Sequence, residues 1–280
     1  MSKPIVALMY DFDKTLSPKN MQDYGFMEGL DVSSDQFWAE CTRMTKAHCM
    51  DSILAYMYQM LEQGHSQFLL KRENFQRLGT SVKLFPGVRT WFARINEYCE
   101  NYGLECEHYI ISSGLKEIIE GTEIAGEFKE IYAAEYMYGE DGLAKWPAMA
   151  VNYTSKTQFL YRVNKGIFDV TDQKSLNEYT PEDKRRVPFR NMIYFGDGDT
   201  DVPCMKLTRV NGGHSFVVYQ DDRAEALKLI DEGRVDFAVK ADYRQGKARE
   251  KTVQAVIDEI VAHSKVQAAH KKQENELHRG

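Results

Sequence analysis

"NMIYFGDGDTD", residues 191–201, joins a short apolar run to three aspartates in five positions, Asp197, Asp199 and Asp201. The run "NMIYF" (191–195) is bounded by a glycine turn signal and reads as a strand buried on both faces. Like charges at the density that follows repel one another. Either all three carboxylates face water in a turn, or something positive sits among them. The same grammar opens the chain, where "PIVALMY" (4–10) runs into "DFDKT" (11–15) with Asp11 and Asp13. It recurs at "HYIIS" (108–112), which runs into the hydroxyls and glycine of "SSG" (112–114).

Helical patterns lie between these strands. "GVRTWFARINEYCENYG" (87–103) carries Val88, Trp91, Phe92, Ile95 and Tyr98 on one stripe. "GLKEIIEG" (114–121) reads as a helix beginning at the "SSG" turn. Further strands are expected at "SFVVY" (215–219) and "VDFAV" (235–239), separated by the helix "RAEALKLIDEG" (223–233). A last helix is expected near 249–264, with the polar tail 266–280 frayed. Strand–helix alternation predicts an α/β fold with a Rossmann-like parallel sheet and helices on both faces. Residues 16–82 interrupt it with amphipathic stretches such as "SILAYMYQMLEQG" (52–64), which read as an α-helical insertion into a core of 1–15 and 83–280. Residues 132–153, with aromatic alternation around Gly139 and Asp141-Gly142, read as a hairpin or flap that could shape a pocket.

Composition narrows the classes. The chain has 280 residues, 43% of them hydrophobic, enough for one large core with an inserted module. Its net charge of −6 argues against a nucleic-acid binder but leaves room for a local anion pocket. The cysteines, Cys41, Cys49, Cys99, Cys106 and Cys204, form no CxxC pair and are expected to be free thiols. No signal peptide and no apolar run of membrane-spanning length is visible, so a cytoplasmic protein without a membrane partner is expected. His48, His65, His108 and His214 have no metal-ligand spacing and read as structural or solvated.

In an open parallel sheet, ligands bind beyond the carboxyl ends of the strands. The two acidic clusters and the "SSG" turn would therefore meet on one edge. Oxygen ligands converging there suit a hard divalent cation, and magnesium fits because it needs few carboxylates and keeps substrate oxygens as other ligands.

In order, "DFDKT", "YIISSG", a later lysine and "GDGDTD" resemble the four motifs of the haloacid dehalogenase superfamily. The match is closest to its phosphoserine-phosphatase-like branch, which carries a helical cap after the first motif. The resemblance covers residues 4–15 and 83–240, and for 16–82 it is one of position and helical character. It implies a magnesium-dependent phosphatase acting on a small phosphorylated metabolite. Asp11 would be the nucleophile and would form an aspartyl-phosphate. Asp13 would protonate the leaving oxygen and then activate water, and its backbone carbonyl would join the metal. Ser112, with the amides of Ser113 and Gly114 at a helix start, would hold the phosphoryl oxygens. Asp197 would bind the metal. Asp201 would ligate it through water or orient the lysine, and Asp199 would be a solvated turn residue. Lys156 opens a predicted helix, where the family lysine sits, whereas its rival Lys165 falls at the helix end. Asn20 stands where phosphoserine phosphatases carry a substrate-reading glutamate, a departure that bears on phosphoserine as the substrate. A phosphomutase of the same superfamily, and a non-catalytic binding protein on this fold, are the alternatives.

Overall fold

A computed structural model describes residues 3–30, 32–64, 70–198 and 200–277. Two expectations, for His65 and Asp199, lie outside the described residues. The first strand, β1 (Ile5–Tyr10), is followed by helices α1 (Ser34–His48), α2 (Ser52–Gly64), α3 (Arg72–Gly79) and α4 (Val88–Asn101). Then come β2 (Glu105–Leu115), α5 (Lys116–Glu120), and the strands β3 (Glu130–Tyr138) and β4 (Ala144–Met149). Helices α6 (Lys156–Lys165) and α7 (Gln173–Asn177) lead to β5 (Met192–Gly196). The remainder is α8 (Val202–Val210), β6 (His214–Tyr219), α9 (Ala224–Asp231), β7 (Phe237–Lys240) and α10 (Ala248–Leu277).

The strands form one seven-stranded sheet in the order β4-β3-β2-β1-β5-β6-β7. All neighbours are parallel except the edge pair β3 and β4. The chain winds outward from β1 in one direction through β2 and β3, and in the other through β5, β6 and β7. β1 therefore lies at the reversal of strand order, where a crevice opens. Its side chains alternate between two cores: Val6, Leu8 and Tyr10 enter one, Ala7 and Met9 the other. α4, α10 and the helices after β1 cover the first face, while α6, α8 and α9 cover the second.

The first core contains a polar chain with every member partnered. Trp91 Nε1 donates to Tyr10 Oη (2.9 Å), Tyr10 Oη pairs with His108 Nδ1 (3.1 Å), and His108 Nε2 pairs with Asn96 Oδ1 (2.9 Å). Burial pushes the His108 imidazole down to about 3, so it is neutral and structural.

Two expectations need correction. The tail does not fray at 266, because α10 runs on to Leu277. Its exposed end is rich in Ala, Lys, Gln and Glu, strong helix formers that extend the helix without any packing, and His270 lies 3.6 Å from Glu274 one turn on. The 132–153 segment does form a hairpin, but among the described residues none of it lines the cleft below. It extends the sheet and backs the helices instead. Tyr136 Oη donates to Met57 O (2.7 Å), and Ala144 N donates to Leu70 O (2.7 Å).

α3 docks on α5 with almost no space between backbones. A Cβ on Gly121 would stand 1.7 Å from Gln76 O, and one on Gly79 would stand 2.3 Å from Ile118 O. Neither obstacle is a movable side chain. Gly121→Ala should therefore force α3 off α5 and destabilise the protein by about 1–3 kcal/mol, read as a lower midpoint in urea unfolding.

Candidate active site

β2, β1 and β5 are adjacent, so their carboxyl ends open at one place. Asp11 follows β1 directly, and its amide continues the ladder by donating to Phe195 O (2.8 Å). Ser112 lies in the last part of β2, and Asp197 follows Gly196 at the end of β5. Lys156 is the first residue of α6, completely buried beneath this edge.

Lys156 Nζ donates to Asp11 Oδ1 (3.0 Å) and to Asp201 Oδ1 (2.7 Å). Burial works against the ammonium charge, but the two carboxylates outweigh it and hold its pKa above the ordinary lysine value. Asp201 Oδ1 also accepts from Tyr194 Oη (2.7 Å), and its Oδ2 accepts from the Asp197 amide (3.2 Å). Both Asp201 oxygens are thus committed within the protein. Gly196 makes room for this carboxylate, since a Cβ there would stand 2.3 Å from Asp201 Cγ. Lys165 lies elsewhere, donating to the carbonyls of Leu176 (2.5 Å) and Glu178 (2.6 Å).

Asp13 Oδ1 accepts from the Met21 amide (2.8 Å), which fixes the carboxylate at the mouth of the site. Burial, then the Asp11 charge, pushes its pKa well above the usual carboxylate range. The "SSG" turn differs from the expectation. Ser113 and Gly114 still belong to β2, and α5 starts only at Lys116 and spans five residues. The Gly114 amide donates to Ser112 Oγ (3.1 Å), so no helix terminus holds these groups. The register of β2 against β3 shifts between Ile111 and Leu115, which frees the turn from the ladder.

Asp11, Asp197 and Asp201 each offer a carboxylate oxygen within 4.8 Å of the others. Burial raises Asp11 to about 6, with Lys156 pulling it down and Asp201 pushing it up. Burial, then Asp201 and Asp11, raises Asp197 to about 7. The carboxylates outnumber the one ammonium buried among them, and every donor is oxygen. That excess fits a hard divalent cation.

Asp11, Asp13, Ser112, Lys156 and Asp197 line a cleft of ≈ 520 Å³ together with Lys14, Asn20 and Ser113, while Asp201 is buried beneath it. Lys14 takes a left-handed backbone (φ 56°), where the chain turns sharply off β1. The opposite wall comes from residues that the sequence reading did not single out: Gln22, Trp38, Thr45, Lys46 and Tyr56. Positions 38, 42, 45 and 46 share one face of α1, but a sequence cannot tell such a face from a solvated one. Tyr194 had a usable signal, a hydroxyl within the apolar run before the acidic loop. Met21, Met27, Met57 and Met60 pack in the core among the helices after β1, and none of them lines the cleft. His214 opens β6 at the far end of the sheet and lies 3.8 Å from Glu259.

Among the described residues, no helix is long and apolar enough to cross a membrane. The family model described as haloacid dehalogenase-like hydrolase matches residues 8–206. A protein from Borreliella burgdorferi, itself described as uncharacterized, is 30% identical over 271 residues, covering 86% of this chain and 93% of that one. A substrate-bound phosphoserine phosphatase shares the fold at a TM-score of 0.56 and 14% identity, covering 87% of this chain and 97% of its own. A HAD family hydrolase from Salmonella enterica serovar Typhi does so at 0.57 and 14%, covering 85% and 68%.

The raised carboxyls carry a pH consequence. Folded Asp11 and Asp197 bind protons more tightly than the unfolded chain does, so they favour the fold at low pH and lose that contribution as pH rises towards about 7. A bound cation would replace those protons. Magnesium should raise the melting temperature more at about pH 8 than at about pH 5, measured against chelator-treated protein. Equal gains at both would show that these carboxyls do not hold it.

Proposed function

The chain belongs to the haloacid dehalogenase-like hydrolases, and from that footing we propose that it is a magnesium-dependent phosphomonoester hydrolase working through an aspartyl-phosphate. One observation carries the reading. Lys156 joins Asp11 to Asp201 at the floor of a cleft that also opens on Asp13 and Ser112. A nucleophile, a proton donor, a buried cation and a hydroxyl converge where one phosphoryl group can touch them all.

Asp11 is the nucleophile. Lys156 holds its Oδ1, which orients the other oxygen for attack on phosphorus. Asp13 is suited to arrive protonated, because burial and the neighbouring Asp11 charge favour its neutral form. As the ester P–O bond breaks, Asp13 passes its proton to the leaving oxygen, and the phosphoryl group stays on Asp11. The Asp13 carboxylate then takes a proton from water, whose oxygen attacks phosphorus. Breakage of the Asp11–phosphorus bond releases phosphate and restores the carboxylate. Ser112 Oγ accepts from the Gly114 amide, which leaves its hydroxyl hydrogen to donate to a phosphoryl oxygen. The amides of Ser113 and Gly114 flank it. Magnesium, held by Asp11, Asp197 and the backbone carbonyl of Asp13, would offset the negative charge of the phosphoryl group and polarise it. Asp201, with both oxygens engaged, positions Lys156 rather than binding the metal directly.

Residues 16–82 would serve as a cap that excludes water during the first step and opens for the second. The phosphoserine phosphatase likeness supports hydrolysis of a phosphate ester. Asn20 at the cleft wall speaks against serine as the leaving group, since an amide does not attract an ammonium as a carboxylate does.

Phosphate release from a panel of phosphomonoesters, with and without magnesium, tests the assignment. Release should require the metal and fall by about a thousandfold or more in Asp11→Asn. Asp13→Asn should lose roughly 10²–10⁴-fold in turnover while still binding substrate. Hydrolysis by Asp11→Asn at the wild-type rate would remove Asp11 as the nucleophile.

A further inference from the structure

The bridge from Asp11 through Lys156 to Asp201 has a further support behind it. Asp201 Oδ1 accepts from Lys156 Nζ (2.7 Å) and also from Tyr194 Oη (2.7 Å), while Oδ2 accepts from the Asp197 amide (3.2 Å). Asp201 is fully buried, so donors of the protein itself fix the plane of its carboxylate.

Tyr194 lies in the middle of β5, in register with Met9 of β1 on one side and Ser215 of β6 on the other. Its ring joins the core that includes Met192, Met205 and Val217. A phenylalanine ring would fill nearly the same volume, so packing asks for the ring and not for the hydroxyl. A buried hydroxyl costs free energy unless it is paired. Here the partner is the carboxylate that carries Lys156, and a hydrogen bond to a charged acceptor is stronger than one between neutral groups. Tyr132 of β3 is the contrast within the same core. Its ring stacks on Phe159 with centroids 4.5 Å apart, and its hydroxyl is buried without a partner among the described residues.

The effect of the Tyr194 hydroxyl reaches the nucleophile in three contacts. It shares Oδ1 of Asp201 with the ammonium, so it takes up part of the negative charge on that oxygen. More of the attraction of Lys156 is then left for Asp11, which it holds at the longer distance of 3.0 Å. Without the hydroxyl, Oδ1 would draw Lys156 closer and loosen its bond to Asp11. Misplacement of a reacting group by about 1 Å can cost about a hundredfold in rate.

We propose that Tyr194 is a positioning residue for attack on phosphorus: its hydroxyl steadies Asp201, so that Lys156 holds Asp11 in line. This rests on the phosphomonoesterase reading above.

The test compares kcat and KM for para-nitrophenyl phosphate, with magnesium, in wild type, Tyr194→Phe and Tyr132→Phe. Tyr194→Phe should lower kcat by about 10- to 100-fold and leave KM within about twofold. Tyr132→Phe, which removes an unpaired hydroxyl from the same core, should leave both constants within about twofold. Wild-type kcat in Tyr194→Phe, a loss confined to KM, or an equal loss in the two variants would overturn the assignment. Urea unfolding separates this inference from the catalytic one. Tyr194→Phe should lower the midpoint, and by about half as much in an Asp201→Asn background, where the hydroxyl meets a neutral acceptor. An equal drop in both backgrounds would show that the hydroxyl does not hold Asp201 and would remove the inference. A drop that depends on Asp201, in a protein that hydrolyses no ester, would keep Tyr194 as the support of the lysine bridge and remove the phosphatase.

Discussion

The buried ammonium of Lys156 between Asp11 and Asp201 is the contact on which the rest of the site depends. It ties the end of β1 to the start of α6 and the start of α8 across 145 and 45 residues of chain. Loss of one partner from such a group leaves a buried charge uncompensated, at about 3–5 kcal/mol. The lysine is also insufficient. Asp13 and Asp197 stand nearby, and Lys156, even with the Lys14 charge that reaches Asp197, cannot neutralise all four carboxylates. The remaining negative charge must draw in either protons or a cation. The same imbalance raises the carboxyls, favours a protonated Asp13, and makes a divalent ion welcome.

The helices that follow β1 are held over this cluster by contacts of two kinds. Some reach the site itself: Met21 N to Asp13, and Tyr56 Oη to Ser113 O (2.8 Å). Others brace the helices from behind. Asn152 Nδ2 donates to Asp51 Oδ2 (2.9 Å), Arg72 pairs with Glu135 (2.8 Å) and Glu120 (3.3 Å), and α3 lies against α5 through two glycines. The β3–β4 hairpin belongs to the second kind. Its aromatic residues support α2 and α3, so its length serves the placement of the cleft wall and not the wall's surface. Displacement of α2 from the sheet would have to break the Tyr56 bond to Ser113, so the position of the helices and the shape of the cleft are mechanically linked.

Much of the site could be read from order and spacing. Asp11, Asp13, Ser112 and Asp197 directly follow or end strands, and a parallel sheet brings strand ends together whatever the loops do. The preference for Lys156 over Lys165 came from motif context, a lysine opening a helix, and in the structure Lys156 opens α6 while Lys165 closes it nine residues later. Two local readings gave way for identifiable reasons. Ser113 and Gly114 were placed at a helix start because glycine and serine often stand there, yet pairing with β3 carries β2 past them. The polar tail was expected to fray because it buries nothing, yet helix propensity alone extends α10.

The sequence alone determined the α/β class and the acidic edge, because each follows from local periodicity and from the rule that parallel strands share an end. Gln22, Trp38, Thr45 and Tyr56 were beyond its reach. Each is an ordinary residue for an amphipathic helix or a turn, and nothing in its neighbours marks it. Only the docking of α1, α2 and the turn before them places these residues around the cleft, through contacts between residues far apart in the chain. The groups proposed for catalysis sit on strand ends and inherit their place from the sheet. The opposite wall of the cleft depends on how one set of helices docks, and that is decided by tertiary contacts alone.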